Sequence, residues 1–340
     1  MHPFGTLAKR LVITLALAGS SQILADEGRI PLFKPTVISQ PGHYILIKDI
    51  TYTAGSIFDI TTGNVTLDLN GRTLTGGSSF PIIRFLPGPT GSVSIRNGRL
   101  VGSGIATDFF AAPRTVRFEN LDLNNGSINF TLSDPGFDPI VDVVGCRLVN
   151  GGITAIHDPG SVVAHIVDNS IQGGDIYLQH SRNSVIAGNS VRNGNIEVAG
   201  GLGGNQVREN SVSGGGPFGI AVKTYSFDAN SGNSSVVGNV VANSGTGIWV
   251  SANYARVAEN VTSQNSSDGI AITDSVGNLT LGVHLENNQS NGNGGCGIRF
   301  TSETGHTFRG NNVRDNGVSG IAGACGGDLG TNLDAGGNIL

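Results

Sequence analysis

Seven asparagines, each closing a short apolar run, constrain this chain more than any other feature. In the segments HIVDNSI, VIAGNSV, QVRENSV, VVGNVV, RVAENVT, HLENNQS and FRGNNV they form one column: Asn169, Asn189, Asn210, Asn239, Asn260, Asn288 and Asn311. Successive members stand 20, 21, 29, 21, 28 and 23 residues apart. Each is followed by a Gly-rich turn and a second run: DIYLQ, NIEVA, GIAVK, GIWVS, GIAIT, GIRFT and the weaker GIAGA. Within these runs apolar residues alternate, as Ile220 and Val222 do around Ala221, which is the pattern of a strand with one buried face. Strands this short bury their inward rows only by stacking on neighbours, so units of just over 20 residues without helices predict an all-β parallel solenoid of stacked coils.

The asparagine column then has a structural task. At an inward-turning corner, an amide can donate to the coil on one side and accept from the coil on the other, which predicts a ladder running through the repeat. That reading takes precedence over a catalytic one for these seven residues. Leucine-rich and nonapeptide calcium-binding repeats lack their signatures here.

Composition narrows the partners. Only 13% of the 340 residues are charged and the net charge is −5, which excludes a basic nucleic-acid-binding surface. Glycine is abundant at 53 residues, but there is no strict Gly-X-Y period, so collagen is excluded as well. Lys9 and Arg10 followed by the apolar stretch LVITLALAG predict a signal peptide over 1–25, with the mature chain starting near Asp26. The apolar stretch is short for a membrane span, and none is expected in the mature chain. Export permits disulfides; with Cys146, Cys296 and Cys325, at least one thiol stays unpaired, and Cys296 with Cys325 is the pair to test.

The amino-terminal part reads TVISQPGHYILIKDITY, FDITTGNVTLDLNGRTLTGG and SVSIRNGRLVG, with Asn70-Gly71 and Asn97-Gly98 at tight turns. The run from ISQPGHYILIKDI through NVTLDLNGRTLTG, followed by NSV-type coils, resembles secreted bacterial proteins with right-handed parallel β-helix repeats, the pectate-lyase-like superfamily. The resemblance covers nearly all of the mature chain and implies a right-handed, single-stranded β-helix. It does not fix an activity, because the superfamily includes lyases, hydrolases, epimerases, tailspikes, adhesins and periplasmic copper-accessory proteins. The expected organisation is a β-helix over 26–325, its cap and first coils reaching about 160, with looser coils over 103–160 and Pro135 and Pro139 in a turn. Residues 326–340 are expected to form a polar tail or cap.

If the isoleucine opening each second run points inward, the next residue points outward. That outward column reads Tyr177, Glu197, Ala221, Trp249, Ala271 and Arg299; the next reads Gln179, Ala199, Lys223, Ser251, Thr273 and Thr301. With coils about 4.8 Å apart, Glu197 and Lys223 are expected to pair across one coil step, between Tyr177 and Trp249. Such a strip suits a sugar chain, with Tyr177, Glu197, Lys223, Trp249 and Arg299 as the ligand-binding candidates. It also fits an ordinary solvated sheet face. His157 and His180 occupy corresponding positions of successive coils, with His165, Asp168 and Asp175 nearby in sequence, but a metal site needs more converging ligands and none is expected.

What the resemblance implies for chemistry is only thinly met. Pectate-lyase-like enzymes combine calcium-binding carboxylates with a basic residue on one sheet; here the columns offer Glu197, with Asp274 at a strand end, so calcium has little support. Asn-Thr-Asp and Asp-Asp motifs of the polygalacturonase branch are absent from the repeat strands. The nearest match to the Asp-Pro-His-Asp strand of mannuronan epimerases, His157-Asp158-Pro159, has the wrong order. What remains as catalytic candidates is Lys223 beside Glu197, with Tyr177 or Tyr225, for removing a proton α to a uronate carboxylate. The expectation is an exported, secreted or periplasmic protein without a cofactor, presenting a lateral sheet face to a polysaccharide or cell-envelope glycan without chemistry. The alternative is a uronate lyase or epimerase with its site around Glu197, Lys223 and Trp249. A copper-accessory role follows from superfamily membership alone, and one Met with seven scattered His does not visibly meet copper's preference.

Overall fold

A computed structural model describes residues 28–86, 91–107, 113–133, 138–200, 203–223, 232–274, 279–301, 305–321 and 333–339. The expected signal peptide and Pro135, Tyr225 and Cys325 lie outside these residues. The described chain is an all-β, right-handed parallel β-helix. A typical coil runs through three strands, Val185–Ala187, Ser190–Arg192 and Ile196–Ala199. First and second strands of all coils merge into a 24-stranded sheet, and third strands form a separate sheet of thirteen, all pairings among the described residues being parallel.

The stacking registers each apolar position on its counterpart one coil away. Ile166, Ile186, Val207, Val236, Val257, Leu285 and Phe308 form one such row, and each is buried. Ile176, Ile196, Ile220, Ile248, Ile270 and Ile298 form another along the third strands. Each fully buried aliphatic side chain contributes about 1.5–3 kcal/mol, and no coil can bury its row alone.

The asparagine ladder is continuous from Asn169 to Asn311. Asn210 shows the unit: its Nδ2 donates forward to Asn239 Oδ1 at 3.0 Å and backward to the Ile186 carbonyl at 2.9 Å. The Asn239 Oδ1 also accepts the Asn210 backbone N–H at 3.0 Å. The residue before each rung turns the chain inward with positive φ, 57° at Asp168 and 68° at Gly238. The ladder runs one rung past the column read from sequence, because Asn311 Nδ2 donates to Asn338 Oδ1 at 3.1 Å and Leu333–Asp334 pairs with Thr307–Arg309. At its other end, Cys146 stands where a rung would be, its backbone N–H donating to Asn169 Oδ1 at 2.8 Å. Cys146 is free and buried, and Cys296 is disulfide-bonded.

The earlier coils explain why the sequence there looks less regular. Ser92–Val101 and Thr115–Asn124 each run ten residues through the corner. Left-handed residues still mark the bend at Asn97 and Asn120, but Gly98 and Leu121 follow where an asparagine would stand.

A second ladder occupies the other corner, five residues after the first. Ser244 N–H donates to Asn265 Oδ1 at 3.0 Å, Asn265 Nδ2 to Asn293 Oδ1 at 2.8 Å, and Asn293 Nδ2 to Asn316 Oδ1 at 2.9 Å. It accounts for the Gly-Ile opening of the third strands. A Cβ at Gly269 would lie 1.8 Å from Ser290 Oγ and 2.7 Å from Asn293 Nδ2, so the amide row and its neighbours require a bare backbone there.

Candidate functional site

The sheet of third strands carries the outward strip. Its pairing registers Tyr177 on Glu197, Glu197 on Ala221, Ala221 on Trp249, Trp249 on Ala271 and Ala271 on Arg299. Gln179, Ala199, Lys223 and Ser251 stack in the same way two residues on. Ala221 and Ala271 belong to the outward column yet are buried, so larger neighbours close over them.

The centre of the strip is a compact cluster. Lys223 Nζ meets Glu197 Oε1 at 2.9 Å, with about a fifth of each side chain exposed (21% and 18%). The same ammonium lies 4.2 Å from the Phe218 ring centroid and 4.7 Å from that of Trp249, within cation–π range. Phe218 and Trp249 meet edge to face with centroids 5.8 Å apart. The Trp249 indole N–H donates to Thr273 Oγ1. Tyr177, one coil before Glu197, directs its hydroxyl to Gln179 Oε1 at 3.0 Å. An aromatic floor with bonded polar rims is what a pyranose ring needs for stacking and orientation.

Phe218 is the member that sequence reasoning missed. It precedes Ile220 by two, so alternation assigns it to the inward row, but the buried ring forms the base of the cluster. The only sequence signal is that a bulky aromatic fills a position held by small or polar residues in the neighbouring phrases. Arg299 lies two coil steps beyond Trp249 in the column, and its guanidinium is tied to the buried Asp268 at 2.5 Å.

The histidines do not converge. His157 is buried and its Nδ1 bonds the Ser161 carbonyl at 3.1 Å, while His180 Nδ1 bonds the His157 carbonyl at 3.2 Å. His165 pairs with Asp142 at 2.8 Å on the other sheet, Asp168 forms a ladder corner, and Asp175 accepts the Asn195 N–H. Asp274, the other carboxylate considered for calcium, accepts the Thr280 N–H at 2.8 Å. Among the described residues no three His, Cys, Asp or Glu side chains gather as metal ligands.

A cleft of about 360 Å³ opens on the 24-stranded sheet beside Arg256, His284, Glu286, Thr307 and Arg309. Glu286 receives Arg309 at 2.8 Å and Arg256 at 2.6 Å, and these hydrogen bonds hold its carboxyl below the usual carboxylate range. Both guanidiniums are thereby engaged within the protein.

Comparison with known proteins adds family and fold. The family model described as periplasmic copper-binding protein (NosD) matches residues 152–328, which include the whole strip from Tyr177 to Arg299. Among solved structures, the chain is similar to the periplasmic alginate epimerase AlgG, with 14% identity, a TM-score of 0.59, and 85% of this chain and 78% of that one covered. It is also similar to the A-module of the Azotobacter vinelandii mannuronan C-5 epimerase AlgE6, with 17% identity, a TM-score of 0.55, and 88% and 90% covered. No match was found among curated proteins. At these identities the structural likeness establishes the β-helix fold.

Proposed function

The chain belongs to the NosD family, and from that membership and the strip's geometry we propose that it handles a polysaccharide along its sheet of third strands. The observation that carries this reading is the Glu197, Lys223, Phe218 and Trp249 cluster, with Tyr177 one coil away, on an otherwise hydroxyl- and amide-bearing face. Tyr177 and Trp249 supply faces for sugar rings, and the ion pair fixes the floor between them. In the same reading the protein is exported to the periplasm or beyond, with residues 1–25 acting as the address.

Two outcomes for the bound chain follow. The first is binding and presentation, favoured by an ammonium already partnered by Glu197 and by two rings. The second is lyase or epimerase chemistry on a uronate, with Lys223 taking the proton α to the carboxylate and Glu197 and Tyr177 positioning it. The electron pair left on that carbon then either expels the glycosidic oxygen at the β-carbon or takes up a proton on the opposite face of the ring. The likeness of fold to an alginate epimerase and a mannuronan C-5 epimerase speaks for the second outcome.

The family's description raises copper, and the described residues do not fit it. Copper favours Met, Cys and His donors. Burial pushes the Cys146 thiol up to about 11, away from the thiolate a metal needs, and Cys296 is in a disulfide. The rings of His157 and His306 are buried and bonded to backbone.

A glycan-binding screen of the folded protein, with Trp249→Ala and Lys223→Ala alongside, tests the proposal. Binding lost in both variants supports it, and binding that both retain removes the strip as the site. Product analysis on bound uronates separates the two outcomes: turnover that disappears in folded Lys223→Ala establishes chemistry.

A further inference from the structure

Along the third-strand sheet, every described charge in the outward columns is neutralised by an internal partner. Asp59 and Arg84 sit on adjacent coils and form a forked pair at 3.0 and 3.1 Å. Glu197 and Lys223 pair at 2.9 Å, and Arg299 pairs with Asp268 at 2.5 Å. Three cations thus face three acids. Between the first and second pairs the column is Ala106, Asn129, Thr154 and Tyr177, which carry no charge. The second row holds Gln179, Thr273 and Thr301, with the buried Ala199 and Ser251 on either side of Lys223.

Just beyond Ile176–Gln179 the cationic side chains are engaged as well: Arg182 pairs with Asp138, and His180 Nδ1 bonds the His157 carbonyl at 3.2 Å. The segments 108–112, 134–137, 201–202, 224–231, 275–278 and 302–304, each shortly following a third strand, contain Asp108, Asp134, Asp228 and Glu303 but no Lys, Arg or His. A polyuronate carries one carboxylate per sugar, and each carboxylate set on this face would need a cation released from an internal acid. Breaking a partly buried pair leaves a charge without its partner, which disfavours that exchange. Hydroxyl, amide and aromatic groups are instead matched to sugar hydroxyls and ring faces.

We infer that the ligand of this face is an uncharged polysaccharide, and that polyuronates are excluded. This rests on the proposal that the face binds a polysaccharide at all. The inference separates this chain from the alginate and the mannuronan named for the two epimerases of similar fold, and it excludes uronate chemistry at Lys223.

The test is calorimetric titration of the full exported chain with two sets of hexasaccharides: neutral gluco-, manno- and xylo-oligosaccharides, and polymannuronate and polygalacturonate hexamers. Each set is run at about 20 mM and 300 mM salt, where screening lengths differ severalfold. The expected result is binding to a neutral hexamer that changes less than twofold with salt and is lost in Trp249→Ala. Binding to a uronate hexamer that weakens tenfold or more with salt, and is lost in Trp249→Ala, overturns the inference while leaving the face as the site. Binding to neither set overturns the underlying proposal, and the inference with it.

Discussion

Lys223 and Glu197 stand two residues out of register on adjacent coils, and their side chains close that diagonal to 2.9 Å. Ala199 is the direct partner of Lys223, and Ala221 that of Glu197, so two alanines leave the space in which the long side chains lean toward each other. Phe218 then sits on the same strand as Lys223, with Trp249 on the next coil, and both rings lie within 5 Å of the ammonium. The pair is therefore held by packing as well as by charge, unlike an isolated surface ion pair.

The coupling should be measurable. In a double-mutant cycle with Glu197→Gln and Lys223→Met, we expect an interaction energy of about 1 kcal/mol in urea unfolding. The cation–π contacts predict that Lys223→Met alone costs more than Glu197→Gln alone. An interaction energy within error of zero would reduce the pair to two independently packed side chains.

The ladder gives a larger effect. Asn239→Ala removes the acceptor for Asn210 N–H and Nδ2–H and the donors to Asn260 Oδ1 and the Val207 carbonyl, all buried. Unpaired buried groups of this kind cost about 1–3 kcal/mol each, so a loss on the order of 3 kcal/mol is expected by denaturant unfolding. Val240→Ala, one residue on at an exposed position, should change stability by less than about 0.5 kcal/mol.

How much of this was legible in the sequence differs by row. The Asn169 to Asn311 column was readable because every rung lies between a short apolar run and a turn. Glu197, Lys223 and Trp249 followed from strict period-two alternation, which fixes facing once one inward residue is known. The second ladder carries the same spacing, displaced by five residues, but Ser244, Asn265, Asn293 and Asn316 lie among Gly, Ser and Asn that read as loop. Phe218 escaped because an aromatic on the inward phase can still turn its ring to the edge of the core. Asp268 was illegible as the partner of Arg299, since nothing local marks an acid 31 residues away as buried beneath it.

The Gly-Ile phrase yields a steric prediction. Gly269→Ala places a methyl within 2.7 Å of the Gly297 carbonyl as well as against Ser290 and Asn293, so backbone must shift. Overpacking of this kind costs about 1–3 kcal/mol. Gly216→Ala, where an added methyl meets nothing within 4 Å, is the control and should be neutral or slightly stabilising. Equal melting temperatures for the two variants would contradict the second ladder's packing.

His306 makes the stability of the last coils depend on pH. Its ring is buried, stacked on Phe300 at 5.3 Å, and its Nδ1 accepts the Val283 N–H at 3.1 Å, which requires the neutral form. Burial lowers its pKa from the usual 6.5 to about 4, with Asp274 acting weakly in the opposite sense. The unfolded chain therefore binds a proton that the folded chain refuses. The stabilisation is complete above pH 6.5 and is lost progressively as pH falls toward 4, reaching on the order of 3 kcal/mol. Between pH 7 and pH 5, before most carboxylates titrate, unfolding free energy should fall by about 2 kcal/mol. His306→Gln keeps a side-chain acceptor for Val283 and removes the titration, so its stability should be nearly flat over the same interval. If the variant and the parent chain lose stability in parallel, the proton responsible binds elsewhere.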